Sequence, residues 1–141
     1  MDFDLTKEQQ YIQKAAREFA LGEFPDVAHE CDVNETIPAE VMKKARELDL
    51  VGLFIPEEYG GVGASYVSYG LVSREVERCD SGYRSMMSVQ SSLVMFPIHA
   101  YGSEEQKRKY LPRLLSGEHV GALAMSEAGA GSDVLSMKLR A

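Results

Sequence analysis

Apolar residues recur at spacings of three and four from Ile12 to Leu115, and the spacing then changes at Gly117. The first pattern is that of one-sided helices, so the first four fifths of the chain are read as a helical assembly. Thr6 with Gln9, and Ser103 with Gln106, have the spacing of a capping box, in which each side chain satisfies an orphan backbone N–H at a helix start. Between them lie further helices with predicted buried faces: Ile12, Ala16 and Phe19, ended by Pro25; Val41, Ala45 and Leu48, opened by Pro38; Tyr69, Val72, Val76 and Cys79; and Met86, Val89, Leu93 and Phe96, kinked or ended at Pro97. Asp80-Ser-Gly82 breaks the third from the fourth, and Pro56 to Gly63, with three glycines, is a loop. The last helix buries Tyr110, Leu111, Leu114 and Leu115 and is capped by Gly117.

Beyond Gly117, Val120 to Ser126 is a short, nearly continuous apolar run consistent with a buried strand. Ala128 to Asp133 is a Gly-rich turn, and Leu135, Met137 and Leu139 alternate with polar residues as a period-two strand. Two strands are marginal alone. They are therefore either a hairpin packed on the helices or the opening of a β domain belonging to a longer chain, and the second reading is favoured. The expected organisation is a helical domain over 1–117 and the incomplete start of a β domain over 118–141.

Composition narrows the classes. With 45% hydrophobic residues the 141-residue chain has material for a core, which excludes overall disorder. Its 22 acidic against 15 basic residues, net −7, argue against nucleic acid as the main partner. No apolar run approaches a membrane span, and the start lacks the basic and apolar runs of a targeting segment. A reducing, cytoplasmic setting fits, with Cys31 and Cys79 too few for a disulfide framework. His29, His99 and His119 have no metal-ligand spacing, so no metal is expected.

Two segments have chemical character. In Ser126-Glu-Ala-Gly-Ala-Gly-Ser-Asp133, Gly129 and Gly131 allow backbone N–H groups close to a ligand, and the hydroxyls of Ser126 and Ser132 can bond a cofactor edge or a phosphate oxygen. It is neither a dinucleotide fingerprint nor a Walker loop, and a plain turn of Gly, Ser and Asp is the alternative. The second segment is Asp80 to Ser88. Arg84 sits near a helix start, where the dipole favours anions rather than cations. It is either a receptor for a carboxylate or phosphate, or an arginine exposed or paired with Glu77 or Asp80.

Leu5-Thr-Lys-Glu-Gln9, Ile55-Pro-Glu-Glu-Tyr-Gly-Gly61, Tyr101-Gly-Ser-Glu-Glu-Gln-Lys107 with Tyr110-Leu-Pro112, and Met125-Ser-Glu-Ala-Gly-Ala-Gly-Ser-Asp133 occur in an order that resembles the N-terminal part of acyl-CoA dehydrogenases. Within that family, Arg74 to Met95 is similar to glutaryl-CoA dehydrogenase. Gly121 to Ser126 and Val134 to Leu139 are more similar to isovaleryl-CoA dehydrogenase, and Ser126-Glu127-Ala128 replaces the family's usual Thr-Glu-Pro.

The resemblance implies an FAD enzyme. A carboxylate base takes an α-proton from an acyl thioester, FAD takes the β-hydrogen as hydride, and electrons pass to an electron-transfer flavoprotein. With glutaryl-CoA, loss of carbon dioxide follows. It implies a cofactor side made of Leu123, Ala124, Met125, Ser126, Glu127, Ala128, Gly129, Ala130, Gly131 and Ser132. On the substrate side it implies Arg84, Ser85, Ser88, Glu77 and Ser132, with Arg84 on the far carboxylate of a dicarboxylic acyl group. No residue of this chain is assigned as the catalytic base, which the family carries in its C-terminal domain. A homotetramer is implied, cytoplasmic in a bacterium or in the mitochondrial matrix of a eukaryote. The alternatives are an isovaleryl- or short-chain acyl-CoA dehydrogenase and, from another class, a non-catalytic helical interaction module.

Overall fold

A computed structural model describes residues 3–140. Seven α-helices are formed among them: α1 (Lys7–Glu23), α2 (Ala28–Asn34), α3 (Ala39–Glu47), α4 (Tyr66–Glu77), α5 (Ser81–Ser88), α6 (Phe96–Tyr101) and α7 (Glu104–Ser116). Both capping boxes form. Thr6 accepts from the Gln9 backbone while the Gln9 side chain accepts from Thr6, and Ser103 and Gln106 do the same at α7. Gly117 closes α7 at φ 75°, the left-handed conformation that glycine adopts at least cost. Pro38 lies one residue before α3, as its cap, rather than as its first turn.

α1 packs along α4, α4 on α5, and α6 on α7. Ala16, Phe19, Ala20, Val72 and Val76 fill the α1–α4 seam. Phe24 meets the edge of Phe19 at 5.8 Å between centroids and Tyr83 at 4.9 Å. Tyr83 has no exposed surface, so it fixes the first turn of α5 in the core.

Three further expectations are corrected. Leu48, expected on the buried face of α3, is 48% exposed, because the helix ends at Glu47 and the chain turns away through Asp49 at positive φ. The expected stripe Met86, Val89, Leu93 and Phe96 is not the buried one. Residues Val89–Met95 wind as a π-helix, with the Phe96 N–H bonded to Ser91 O five residues back. The wider turn moves burial to Met87, Gln90, Ser91 and Met95, and it makes room for the ring of Pro97 at the start of α6.

Third, no β-strand forms among the described residues after Gly117. Val120 to Ser126 forms no regular element, and Val134–Ser136 is a single 3₁₀ turn rather than the start of a strand. Leu135 and Leu139 are 94% and 85% exposed. Alternating residues make a strand only when a neighbouring chain takes their backbone hydrogen bonds, and none is present beside them.

Candidate functional site

The α4–α5 junction is built by Asp80. Its carboxylate accepts from the Tyr83 N–H at 2.5 Å, which stops α4 and starts α5. Tyr83 then turns inward, and Arg84, about 100° further round the helix, is left at the junction. There its Nε donates to Glu77 Oε2 in an ion pair, and its Nη1 donates to Ser88 Oγ at 3.2 Å. Ser81 Oγ donates to Glu77 Oε1 at 2.9 Å, and Ser88 Oγ donates to the Ser85 carbonyl at 2.9 Å. The Arg84 guanidinium, and after it the Ser81 hydroxyl, hold the Glu77 carboxyl below the usual carboxylate range.

Glu77, Arg84, Ser85 and Ser88 are thus one cluster, Ser85 through its backbone. Ser132 makes no hydrogen bond to them among the described residues. Arg84 Nη2 has no protein acceptor there either, which leaves one arm of the fork for an anionic oxygen.

The Gly-rich segment is open. Glu127 and Ala130 exchange backbone hydrogen bonds of 3.0 and 3.1 Å around Ala128-Gly129, and Ala130 is buried. Leu123, Ala124, Met125 and Ser126 are exposed, and no protein acceptor takes their N–H groups among the described residues. Ser126, Gly129, Gly131 and Ser132 are exposed too, and nothing lies within 4 Å of a side chain built on either glycine. The Glu127 carboxylate is committed: it accepts from the backbone of Lys138 at 3.0 Å and of Leu139 at 2.8 Å, which lowers its pKa. Hydroxyls, unclaimed N–H groups and free space at two glycines are a donor set for a ligand rich in acceptor oxygens. Among the described residues no three metal-ligating side chains gather, and no helix is long and apolar enough to cross a membrane.

A profile described as "Acyl-CoA dehydrogenase, N-terminal domain" matches residues 6–118. The chain belongs to the acyl-CoA dehydrogenase family. It is 39% identical over 137 residues to an acyl-CoA dehydrogenase of Bacillus subtilis, covering 97% of this chain and 36% of that one. To the mitochondrial isovaleryl-CoA dehydrogenase of Oryza sativa it is 40% identical, covering 99% and 34%. It superposes on a chain from the electron-transferring flavoprotein structure of Acidaminococcus fermentans with a TM-score of 0.90 at 38% identity, covering 98% and 36%. On the glutaryl-CoA dehydrogenase of Mycobacterium smegmatis in complex with FADH2 it gives 0.87 at 37% identity, covering 95% and 34%. The chain therefore spans about a third of the length of these relatives.

Two polar side chains of this acyl-CoA dehydrogenase segment were not singled out in the sequence. Glu75 is 2% exposed. It accepts from Gln13 at 2.8 Å, from Arg17 Nε at 2.9 Å and from Arg74 at 3.0 Å, with Arg78 at 4.0 Å. A cleft of about 300 Å³ opens beside it, lined by Arg17, Leu21, Arg78 and Cys79. The signal was its place three residues after Val72, on the buried face of α4. Gln90, 5% exposed, lies within the π-helical segment Val89–Met95 and bonds Leu114 in the last turn of α7 and His119 and Gly121 after it.

Proposed function

We propose that this chain forms the N-terminal helical portion, residues 1–117, and the beginning of the following domain, residues 118–141, of an FAD-dependent acyl-CoA dehydrogenase whose substrate is glutaryl-CoA or a closely related dicarboxylic thioester. The observation that carries the substrate reading is the Arg84 fork. Glu77 and Ser88 fix the guanidinium from two sides, and Nη2 keeps no protein acceptor among the described residues. A planar, permanently charged group with one arm uncommitted suits a distal carboxylate, and the Ser88 hydroxyl beside it would join by turning its hydrogen from the Ser85 carbonyl to that carboxylate.

The donor set of Leu123 to Ser132 fits FAD. Ser126 and Ser132 would hydrogen-bond its polar edge, and the unclaimed N–H groups of Leu123 to Ser126 would serve its carbonyl and phosphate oxygens. When bound, FAD supplies a hydride acceptor for the β-carbon. The residues of this chain would hold the acyl end through Arg84 and Ser88, orient the cofactor through the 123–132 segment, and exclude water with the apolar side chains of Leu123 and Met125. No residue here is assigned the α-proton. An acyl-CoA thioester, an electron-transfer flavoprotein and three further copies of the whole protein are the partners proposed.

One observation favours a second reading, an isovaleryl- or short-chain acyl-CoA dehydrogenase. Glu77 already neutralises Arg84 without a substrate carboxylate, as a merely structural pair would. The experiment that decides is a substrate panel on the flavin-loaded whole protein. A kcat/KM for glutaryl-CoA above those for isovaleryl-CoA and butyryl-CoA supports the first reading. The reverse order supports the second, and a whole protein that binds no flavin overturns both.

A further inference from the structure

Gln90 uses its amide on three backbone groups, one in the last turn of α7 and two in the passage that follows it. Its Nε2 donates to Leu114 O at 2.8 Å and His119 O at 3.0 Å, and its Oε1 accepts from Gly121 N at 2.8 Å. Both amide hydrogens and one oxygen lone pair are spent, and the side chain is 5% exposed. Gly121 also lies against Val94, one turn further along the same π-helical segment; a Cβ at 121 would clash with the Val94 side chain. The passage 119–121 is therefore seated on Val89–Met95 by one hydrogen-bonding clamp and one steric contact.

The two ends of that seating matter. Val89–Met95 continues α5 without a break, so Gln90 is two residues from Ser88 and six from Arg84 along one helical rod. Gly121 is two residues before Leu123, where the exposed donor segment begins. A helical rod transmits position with little give, and so short a link to Leu123 allows little more.

We infer that Gln90 is a positioning residue, which sets the placement of the Leu123–Ser132 segment relative to Arg84 and Ser88 while touching neither substrate nor cofactor. The inference rests on the function proposed above. If the acyl end is held at one end of this rod and the cofactor at the other, the clamp governs how the β-carbon meets the cofactor. Displacement of about 1 Å in such a placement costs roughly a hundredfold in rate.

The test uses the whole protein with Gln90→Leu, which keeps bulk and removes all three bonds, and Gln90→Glu, which keeps the acceptor for Gly121 N–H and loses both donors. Ser91→Ala is the control. Ser91 is also buried in the same π-helical segment, but its hydroxyl accepts from Gly52 N–H at 3.0 Å and makes no hydrogen bond to residues 119–121 among the described residues. The readouts are hydrogen exchange at the Gly121 amide, retention and visible fine structure of bound flavin, and kcat against KM.

For Gln90→Leu the expected result is Gly121 exchange faster by roughly tenfold or more. With it should come loss of flavin fine structure and a kcat lower by roughly tenfold to a hundredfold, with KM changed by less than about threefold. Ser91→Ala should lower the melting temperature without any of these. If Gln90→Leu and Ser91→Ala give the same Gly121 exchange and kcat, the inference is overturned. If Gln90→Leu does not fold, Gln90→Glu decides by the same criteria, and wild-type kcat and flavin spectrum in it overturn the inference. A wild-type whole protein that oxidises no acyl-CoA would instead defeat the proposed function, while the Gly121 exchange comparison, which needs no substrate, still decides whether Gln90 clamps the passage.

Discussion

Arg17 on α1 grips the buried carboxylate of Glu75 on α4 at two points, with Nε 2.9 Å from Oε2 and Nη2 3.1 Å from Oε1. The carboxylate is almost wholly out of water, while Arg17, Arg74 and Arg78 keep about half or more of their side-chain surface in it. The desolvation cost therefore falls on one group of the cluster, and charged hydrogen bonds offset it.

Glu75→Gln is expected to cost about 1.5–3 kcal/mol, the usual worth of hydrogen bonds to a charged group. The loss should depend on pH. The Arg17 hydrogen bond leads the causes that lower the Glu75 pKa from 4.5 to about 2, against a smaller opposing effect of burial. A depressed carboxylate pKa contributes stability that is fully present above the unfolded value and is lost as pH falls toward the folded one. Urea melts of wild type and Glu75→Gln should differ most at pH 6, draw together below about pH 4.5 and converge only as pH falls to about 2. A constant difference from pH 6 to 3 would assign the loss to packing.

Gly61 is required for space, not for backbone angle. A Cβ there would fall on the Ile55 backbone carbonyl, whereas Gly63, at φ 62°, has nothing within 4 Å of its Cβ position. Gly61→Ala must move backbone and is expected to cost about 2 kcal/mol or more. Gly63→Ala pays only for the left-handed conformation, about 1 kcal/mol. Chemical denaturation of the two variants ranks them; equal losses would show that the 56–63 loop relaxes freely.

Ser103→Ala removes the hydroxyl that accepts from Gln106 N–H and leaves that donor to water. The expected loss is about 1 kcal/mol, with the first turn of α7 frayed in amide exchange. Ser103→Asp should recover most of it, since a carboxylate caps the same N–H and suits the positive helix end.

Much of this was legible because it is local. Thr6 with Gln9, Ser103 with Gln106, and Gly117 act within a few residues of chain, so their spacing alone announces the helix ends. The pairing of Arg84 with Glu77 was legible only as one of two alternatives, because the turn that folds residues seven apart together depends on Asp80 and on the burial of Tyr83. The π-helical winding was not legible. It changes residues per turn without changing residue types, and it put Gln90 and Ser91 where a period of 3.6 puts Val89 and Leu93. The strands expected after Gly117 failed for the opposite reason: alternation in Leu135, Met137 and Leu139 states a preference that only a partner strand can realise.

Arg84 provides the sharpest test of substrate choice. In Arg84→Ala a distal carboxylate would enter the junction facing Glu77 alone, so the variant removes an attraction and exposes a repulsion. Truncating one partner of a desolvated charge pair costs on the order of 2–5 kcal/mol, and the junction is partly open, so the low end is expected. Glutaryl-CoA should lose roughly thirtyfold or more in kcat/KM, and butyryl-CoA, which has no distal carboxylate, much less. Glu77→Gln separates the two roles of the pair. It keeps one acceptor oxygen for Arg84 Nε and turns its amide N–H to the Ser81 hydroxyl oxygen but removes the competing charge, so glutaryl-CoA should bind at least as well as in wild type. If Arg84 serves only to join α4 to α5, both substitutions should lower the melting temperature and reduce turnover of the two substrates in equal proportion. Equal proportional losses in flavin-replete Arg84→Ala protein would remove the carboxylate-receptor role and favour the isovaleryl-type reading.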